Sequence, residues 1–264
     1  ELPEIDAAVI AAPTALHPDL GCALLERGVH CLVEKPLAHD RREAQLLVDA
    51  ADSANVTLQV GHIERFNPAV RQLKEMLEGE SVLVANACRM GVSSGRVTDI
   101  DVVMDLMVHD LDVVLFLMGG GVGDVVARGI DGPNGCDHVT ALVSFANNRL
   151  ASLTASRITQ DQIRRLEITT SDRYFTVNYP NQELLIFRQG RIDGLGGNDA
   201  EVRYSLDVDT RRVFVRRSEP LVAELEHFVG VIRGHHECEV DGRQALSALE
   251  LVWDVQRSLE NEFE

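Results

Sequence analysis

Two stretches of this sequence carry groups able to move protons. Residues 31–36, CLVEKP, end an apolar run with the carboxylate of Glu34, the ammonium of Lys35 and the rigid ring of Pro36. Residues 101–119, DVVMDLMVHDLDVVLFLMG, set Asp105, His109 and Asp112 into a run that is otherwise almost all apolar. Spacings of four and seven residues from Asp105 place the three on one side of a helix. A carboxylate one turn from an imidazole can orient it and stabilise its protonated form, which an acid–base catalyst needs. An ammonium held nearby can stabilise charge developing on an oxygen. The same residues admit a plainer reading: Glu34 and Lys35 as an exposed ion pair, His109 as a satisfied core histidine, and Asp112 as a cap on a neighbouring loop.

Two other clusters carry less. GGGVGD (119–124) lacks the G-x-G-x-x-G spacing and follows a helical pattern, so it reads as a helix stop and turn. His235, His236, Glu237 and Cys238 have no second cluster at zinc spacing, and no metal site is expected.

These residues need elements to position them. DAAVIAA (6–12), HCLVE (30–34) and TLQVGH (57–62) are compact apolar runs of the kind buried on both faces, and helical patterns separate them. Strand, helix, strand, helix, strand predicts parallel pairing in a doubly wound layer, with Glu34 and Lys35 at the carboxyl end of a strand, where such sheets bind ligands. NPAVRQLKEMLEG predicts a helix with Pro68 in its first turn; VLVANACRM predicts a strand, and a long helix follows over about 101–118. Then DVVARGI, HVTALVSF, LASLTASRI, RRLEITTS, YFTVNY, ELLIFR, VRYSLDV and RRVFVRR predict successive strands of a mostly antiparallel sheet. DGLGGND (193–199) reads as a loop, and helices over about 219–233 and 243–261 close the chain. The fold class is α/β plus α+β: a partial Rossmann layer over residues 1–64, then a large sheet domain with helices on one face over 65–264.

Composition excludes several functions. Among 264 residues, 42 acids against 25 bases give a net charge of −17, which repels nucleic acid and anionic membrane; an anionic ligand must be met by locally placed bases or backbone amides. Five widely spaced cysteines fit a reducing cytoplasm better than a disulfide framework. The most apolar region, 102–118, is interrupted by Asp105, His109, Asp110 and Asp112, so no bilayer span is expected.

DAAVIAAPTALHPDL, HCLVEKPLA, VGHIERFNPAV and DLMVHDLDVV, in this order, resemble the Gfo/Idh/MocA family of nicotinamide-dependent oxidoreductases, which act mainly on sugars and inositols. GHIERFNPAV further resembles the branch containing UDP-N-acetylglucosamine 3-dehydrogenases. The resemblance implies NAD or NADP as cofactor and a sugar or nucleotide sugar as substrate. It implies Lys35 as catalytic lysine, His109 as base or relay, and Asp105 as carboxylate partner. Glu34 and Pro36 would shape the cofactor crevice, Pro13, Thr14 and His17 would border the nicotinamide-side ribose, and Arg65 and Asn67 would contact cofactor or substrate. It also implies a homo-oligomer paired through the antiparallel sheet. An inositol or simple-sugar dehydrogenase and a noncatalytic sugar-binding scaffold stay open.

One departure accompanies the resemblance. The family opens with a strand, a G-x-G-x-x-G turn and a helix, whereas these residues open before what reads as the fourth strand. The sequence therefore reads as an N-terminally incomplete member, with the family's activity belonging to the intact protein.

Overall fold

The computed structural model describes residues 5–92, 100–132, 135–195 and 203–260, with the side chains of 189–208 left aside. Three short strands, β1 (Ala7–Ile10), β2 (His30–Glu34) and β3 (Leu58–Gly61), form a parallel sheet in that order. The crossovers are α1 (His17–Leu25) and α2 (Arg41–Ala54). The Asp40 carboxylate accepts from the Glu43 amide to cap α2, and Asn55 ends it in the left-handed region at φ 54°. β2 and β3 are buried as expected. β1 is not buried on both faces: Val9 is 51% exposed, because β1 forms one edge of the three-stranded sheet.

After β3 the chain turns through a short 3₁₀ segment, Ile63–Phe66, into α3 (Pro68–Met76). Asn67 caps α3 through its side chain, and Pro68 occupies the first turn, where a missing amide hydrogen is harmless. Next come β4 (Val84–Val92), a π-helical turn at Val103–Met107, and α4 (Val108–Met118). Gly119, at φ 75°, ends α4, so the first glycine of GGGVGD is the helix stop expected.

Seven strands follow: β5 (Val122–Gly132), β6 (Gly135–Phe145), β7 (Arg149–Ser156), β8 (Ile158–Thr169), β9 (Tyr174–Asn178), β10 (Glu183–Leu195) and β11 (Arg203–Arg212). With β4 they make an eight-stranded sheet in the order β11-β10-β9-β8-β4-β7-β6-β5. Every pairing is antiparallel except β4 with β7. The run LASLTASRI divides at Arg157 into the end of β7 and the start of β8. RRVFVRR is not a separate strand: Arg211 and Arg212 end β11, and one further backbone bond, from the Val213 amide to the Leu184 carbonyl at 2.9 Å, brings the pairing almost to the start of β10 at Glu183. Of DGLGGND, Asp193–Leu195 belong to β10, and 196–199 lie outside the described residues.

Helices α5 (Pro220–Ile232) and α6 (Gly242–Glu260) end the described chain and reach back to the first sheet. The Val60 amide donates to the Val240 carbonyl, Gln59 bridges Asp241, and the Trp253 indole donates to the His39 carbonyl. A Cβ on Gly242 would lie 2.7 Å from the Leu58 side chain, so glycine lets the start of α6 approach β3 without displacing Leu58. The edge of β3 is thereby covered, and one apolar core joins both sheets.

Candidate functional site

The three parallel strands deliver residues to one edge. β1 leads to Pro13 and the buried Thr14, β2 ends at Glu34 and Lys35, and β3 leads to the buried His62. The Lys35–Pro36 peptide is cis. Gly61, next to β2, lets the Glu34 carboxylate lie against the backbone: a Cβ there would meet Glu34 Oε2 at 2.9 Å.

Lys35 Nζ donates to the main-chain oxygen of Asp105 at 2.7 Å and lies 3.4 Å from the Asp105 carboxylate. Burial lowers the lysine's proton affinity and the Arg89 charge adds to this, while Asp105 and Glu34 oppose it. Lys35, Asp105 and His109 therefore share one region, as the sequence implies. The detail differs: Asp105 serves Lys35, and His109 Nδ1 is sheltered with no hydrogen-bond partner. The reason is the π-turn at Val103–Met107, whose wider winding breaks the i,i+4 relation that would stack Asp105 on His109. Burial, followed by the charges of Lys35 and Arg89, holds the His109 imidazole well below its usual range and so neutral.

Asp112 also departs from the one-sided arrangement. Its carboxylate takes a bidentate pair from Arg65, at 2.6 and 2.8 Å, with His62 Nδ1 3.7 Å away. Arg65 also donates to the Glu239 carbonyl and to Gln244 Oε1. Asn67 Nδ2 donates to Glu64 and to the Tyr179 carbonyl. Both residues, expected at the ligand, have their polar atoms engaged by the protein and lock the segment after β3 against α4 and the C-terminal region. His17 is likewise turned inward, its ring nitrogens 3.0 Å from the Pro36 carbonyl oxygen and 2.9 Å from that of Ala12. It supports the turn that carries Lys35.

A second buried network went unread in the sequence. Arg89 on β4 donates to both Asp110 oxygens, at 2.9 and 3.0 Å, and to Glu64 at 2.9 Å. Asp110, buried among apolar helix neighbours, was the available signal, since such a carboxylate requires a cation. Arg89 also lines a cavity of about 420 Å³, together with Asp105, Arg157, Gln160, Gln162 and Arg164. Its far wall is a bulge: Ile158 pairs with Val92 and Ile163 with Met90, so residues 159–162 stand opposite Gly91 alone.

The orphaned His109 nitrogen and the part-buried Lys35 ammonium, held on the Asp105 that lines the cavity, fit the nicotinamide end of a dinucleotide and a hydroxyl-bearing ligand. At the same sheet edge lie Glu34, Pro36, Pro13 and Thr14, the residues that the family resemblance puts around that end. The 264 residues contain no G-x-G-x-x-G turn for the pyrophosphate. Among the described residues there is no cluster of histidine, cysteine, aspartate or glutamate able to hold a metal ion, and no helix long and apolar enough to cross a membrane.

A parallel layer of the nucleotide-binding kind, with a lysine at its carboxyl edge held on the Asp105 that lines a sheet-walled cavity, is the arrangement of a nicotinamide-dependent dehydrogenase. Comparison with known proteins specifies the kind. Residues 1–62 match the oxidoreductase family with NAD-binding Rossmann fold, and residues 96–176 match the GFO/IDH/MocA C-terminal domain. The chain is 35% identical over 253 residues to UDP-N-acetylglucosamine 3-dehydrogenase of Acidithiobacillus ferrooxidans, covering 94% of this chain and 77% of that protein. A solved structure of UDP-N-acetylglucosamine 3-dehydrogenase from that organism superposes with a TM-score of 0.88 at 32% identity, over 99% of this chain and 80% of that one. A myo-inositol dehydrogenase of Streptomyces leeuwenhoekii is 32% identical over 166 residues, 58% of this chain and 51% of that protein. The chain belongs to the Gfo/Idh/MocA family of NAD-binding oxidoreductases.

Proposed function

We propose that the protein oxidises a secondary hydroxyl of a nucleotide sugar, with the C3 hydroxyl of UDP-N-acetylglucosamine the foremost candidate, using NAD or NADP. The observation that carries this reading is the part-buried Lys35 ammonium, fixed on the Asp105 that lines the cavity and close enough to a neutral His109 for its charge to act on it. A nicotinamide held at the sheet edge would supply the hydride acceptor. Lys35 holds the substrate oxygen and stabilises the negative charge that develops on it as the C–H bond breaks. His109 takes the hydroxyl proton, directly or through Lys35, on the nitrogen the protein leaves unpaired. Asp105 keeps Lys35 charged and aimed. The similarity to the UDP-N-acetylglucosamine 3-dehydrogenase, spread over nearly the whole chain, supports the substrate.

Initial rates of the full-length protein with UDP-N-acetylglucosamine, N-acetylglucosamine and myo-inositol test it. The first should show the highest kcat/KM by at least about tenfold. A preference for myo-inositol would move the protein to the inositol-oxidising group, which the Streptomyces relative favours.

The outer face of the eight-stranded sheet supports self-association. Val126, Ile130 and Leu142 project from it at 52, 57 and 43% exposure, an apolar patch that a second copy would cover.

A further inference from the structure

The arginines of the cavity differ in what they hold. Arg89 is engaged by Asp110 and Glu64, and Arg157 pairs with Asp137 at 3.1 Å and donates to the Ile100 carbonyl. Arg164 is exposed on the cavity wall, and its guanidinium makes no hydrogen bond or ion pair among the described residues. Gln160 and Gln162 line the same wall from the β8 bulge, their amides likewise without a partner among the described residues. Asp161 shares the bulge and does not pair with Arg164.

The groups whose charge acts on His109 are Lys35, Arg89, His62 and Arg164, all basic. In a chain of net charge −17 such a place is built against the general field, and it attracts an anion only because bases are concentrated there. Lys35 is committed to the reacting oxygen and Arg89 to its carboxylates, which leaves Arg164 as the fork able to bind a multidentate anion.

We propose that Arg164, with Gln160 and Gln162, forms an anion subsite on the β8 wall of the cavity that seats the diphosphate of a nucleotide sugar. This rests on the nucleotide-sugar reading above. The guanidinium takes the phosphate oxygens, the two amides supply uncharged donors beside it, and the sugar ring extends back to Lys35 and His109. A sugar acid would present a carboxylate to the same fork, and the probes separate the two.

The test is calorimetry of the full-length protein and its variants with UDP, glucuronate and N-acetylglucosamine. UDP should bind the native protein, and Arg164→Gln should weaken it by at least about tenfold while leaving N-acetylglucosamine unchanged. Arg164→Lys, which keeps the charge without the fork, should fall between. Asp161→Asn, which removes a neighbouring negative charge, should tighten UDP. Arg164 is exposed, so melting temperatures of the variants should match the native protein. Equal UDP affinity in native and Arg164→Gln proteins would overturn the subsite and leave the substrate reading standing. Glucuronate binding that depends on Arg164, with no UDP binding, would overturn the diphosphate assignment and the nucleotide-sugar reading together.

Discussion

Lys35 and Asp105, seventy residues apart, meet at 2.7 Å through the lysine ammonium and the aspartate's main-chain oxygen, with the carboxylate 3.4 Å away. The end of a parallel strand is thereby tied to a π-turn that opens the main helix of the sheet domain. Because the Asp105 carboxylate favours the charged lysine against burial, Asp105→Asn should lower Lys35's proton affinity further. The ammonium is then lost at lower pH, and the basic limb of the kcat/KM profile should move toward neutrality, with the main-chain contact still present. A pH–rate profile of the variant checks this; an unmoved basic limb would show that the carboxylate does not act on Lys35.

His62 and His109 are both held below the ordinary histidine value of 6.5, mainly by burial. Below that value the unfolded chain takes up protons that the folded chain refuses, so stability from these groups is complete above it and is lost as pH falls. Each contributes a slope of up to about 1.4 kcal/mol per pH unit. Urea unfolding at about pH 7.5 and about pH 5.5 should show His109→Gln losing less stability on acidification than the native protein. An identical loss would place His109 outside the buried neutral state.

Arg65 and Asp112 form a buried pair, each with a side chain no more than 5% exposed. Removing one charge strands the other, so Arg65→Met should cost about 3–5 kcal/mol in denaturant unfolding, and Arg65→Met with Asp112→Leu should recover most of it. Substrate and cofactor KM of the recovered double variant should match the native protein. A raised KM in a stable double variant would return Arg65 to the ligand-contacting role that the family resemblance implies.

The outward Leu142, opposite Val126 in register, should lie in a contact between two copies. Light scattering should give at least a dimer for the native protein and a monomer for Leu142→Arg, since a buried unpaired charge opposes the association. A native monomer at high concentration would refute the pairing.

The parallel layer was legible because β2 and β3 are short apolar runs buried on both faces, and the helices that separate the three strands, ended near Gly28 and at Asn55, leave few topologies. β1 reads the same in sequence, and its exposed Val9 lies on the side of the strand that no other described strand covers. Lys35 and His109 were legible as a charge at a strand's carboxyl end and a titratable group in an apolar helix. The partner of Asp105 was not, because a π-turn changes which side chains stack and nothing in VMDLM distinguishes it from an α-turn. Arg89 and Arg164 were missed for opposite reasons. Arg89 occupies an inward strand position where a cation is unexpected until its Asp110 partner is seen, and Arg164 is one more arginine on an outward face until the bulge at residues 159–162 brings it to a cavity wall.

Replacing Lys35 by Met keeps an unbranched side chain out to the ε position and removes the ammonium at the reacting oxygen, so turnover of the full-length protein with UDP-N-acetylglucosamine and its nicotinamide cofactor should isolate that charge. The kcat should fall by about 10²–10⁴-fold while cofactor affinity, set by contacts elsewhere, stays within about threefold. A Lys35→Met protein that turns over at the native rate, or that loses cofactor binding in proportion to its activity, would contradict the assignment of Lys35 to the chemical step.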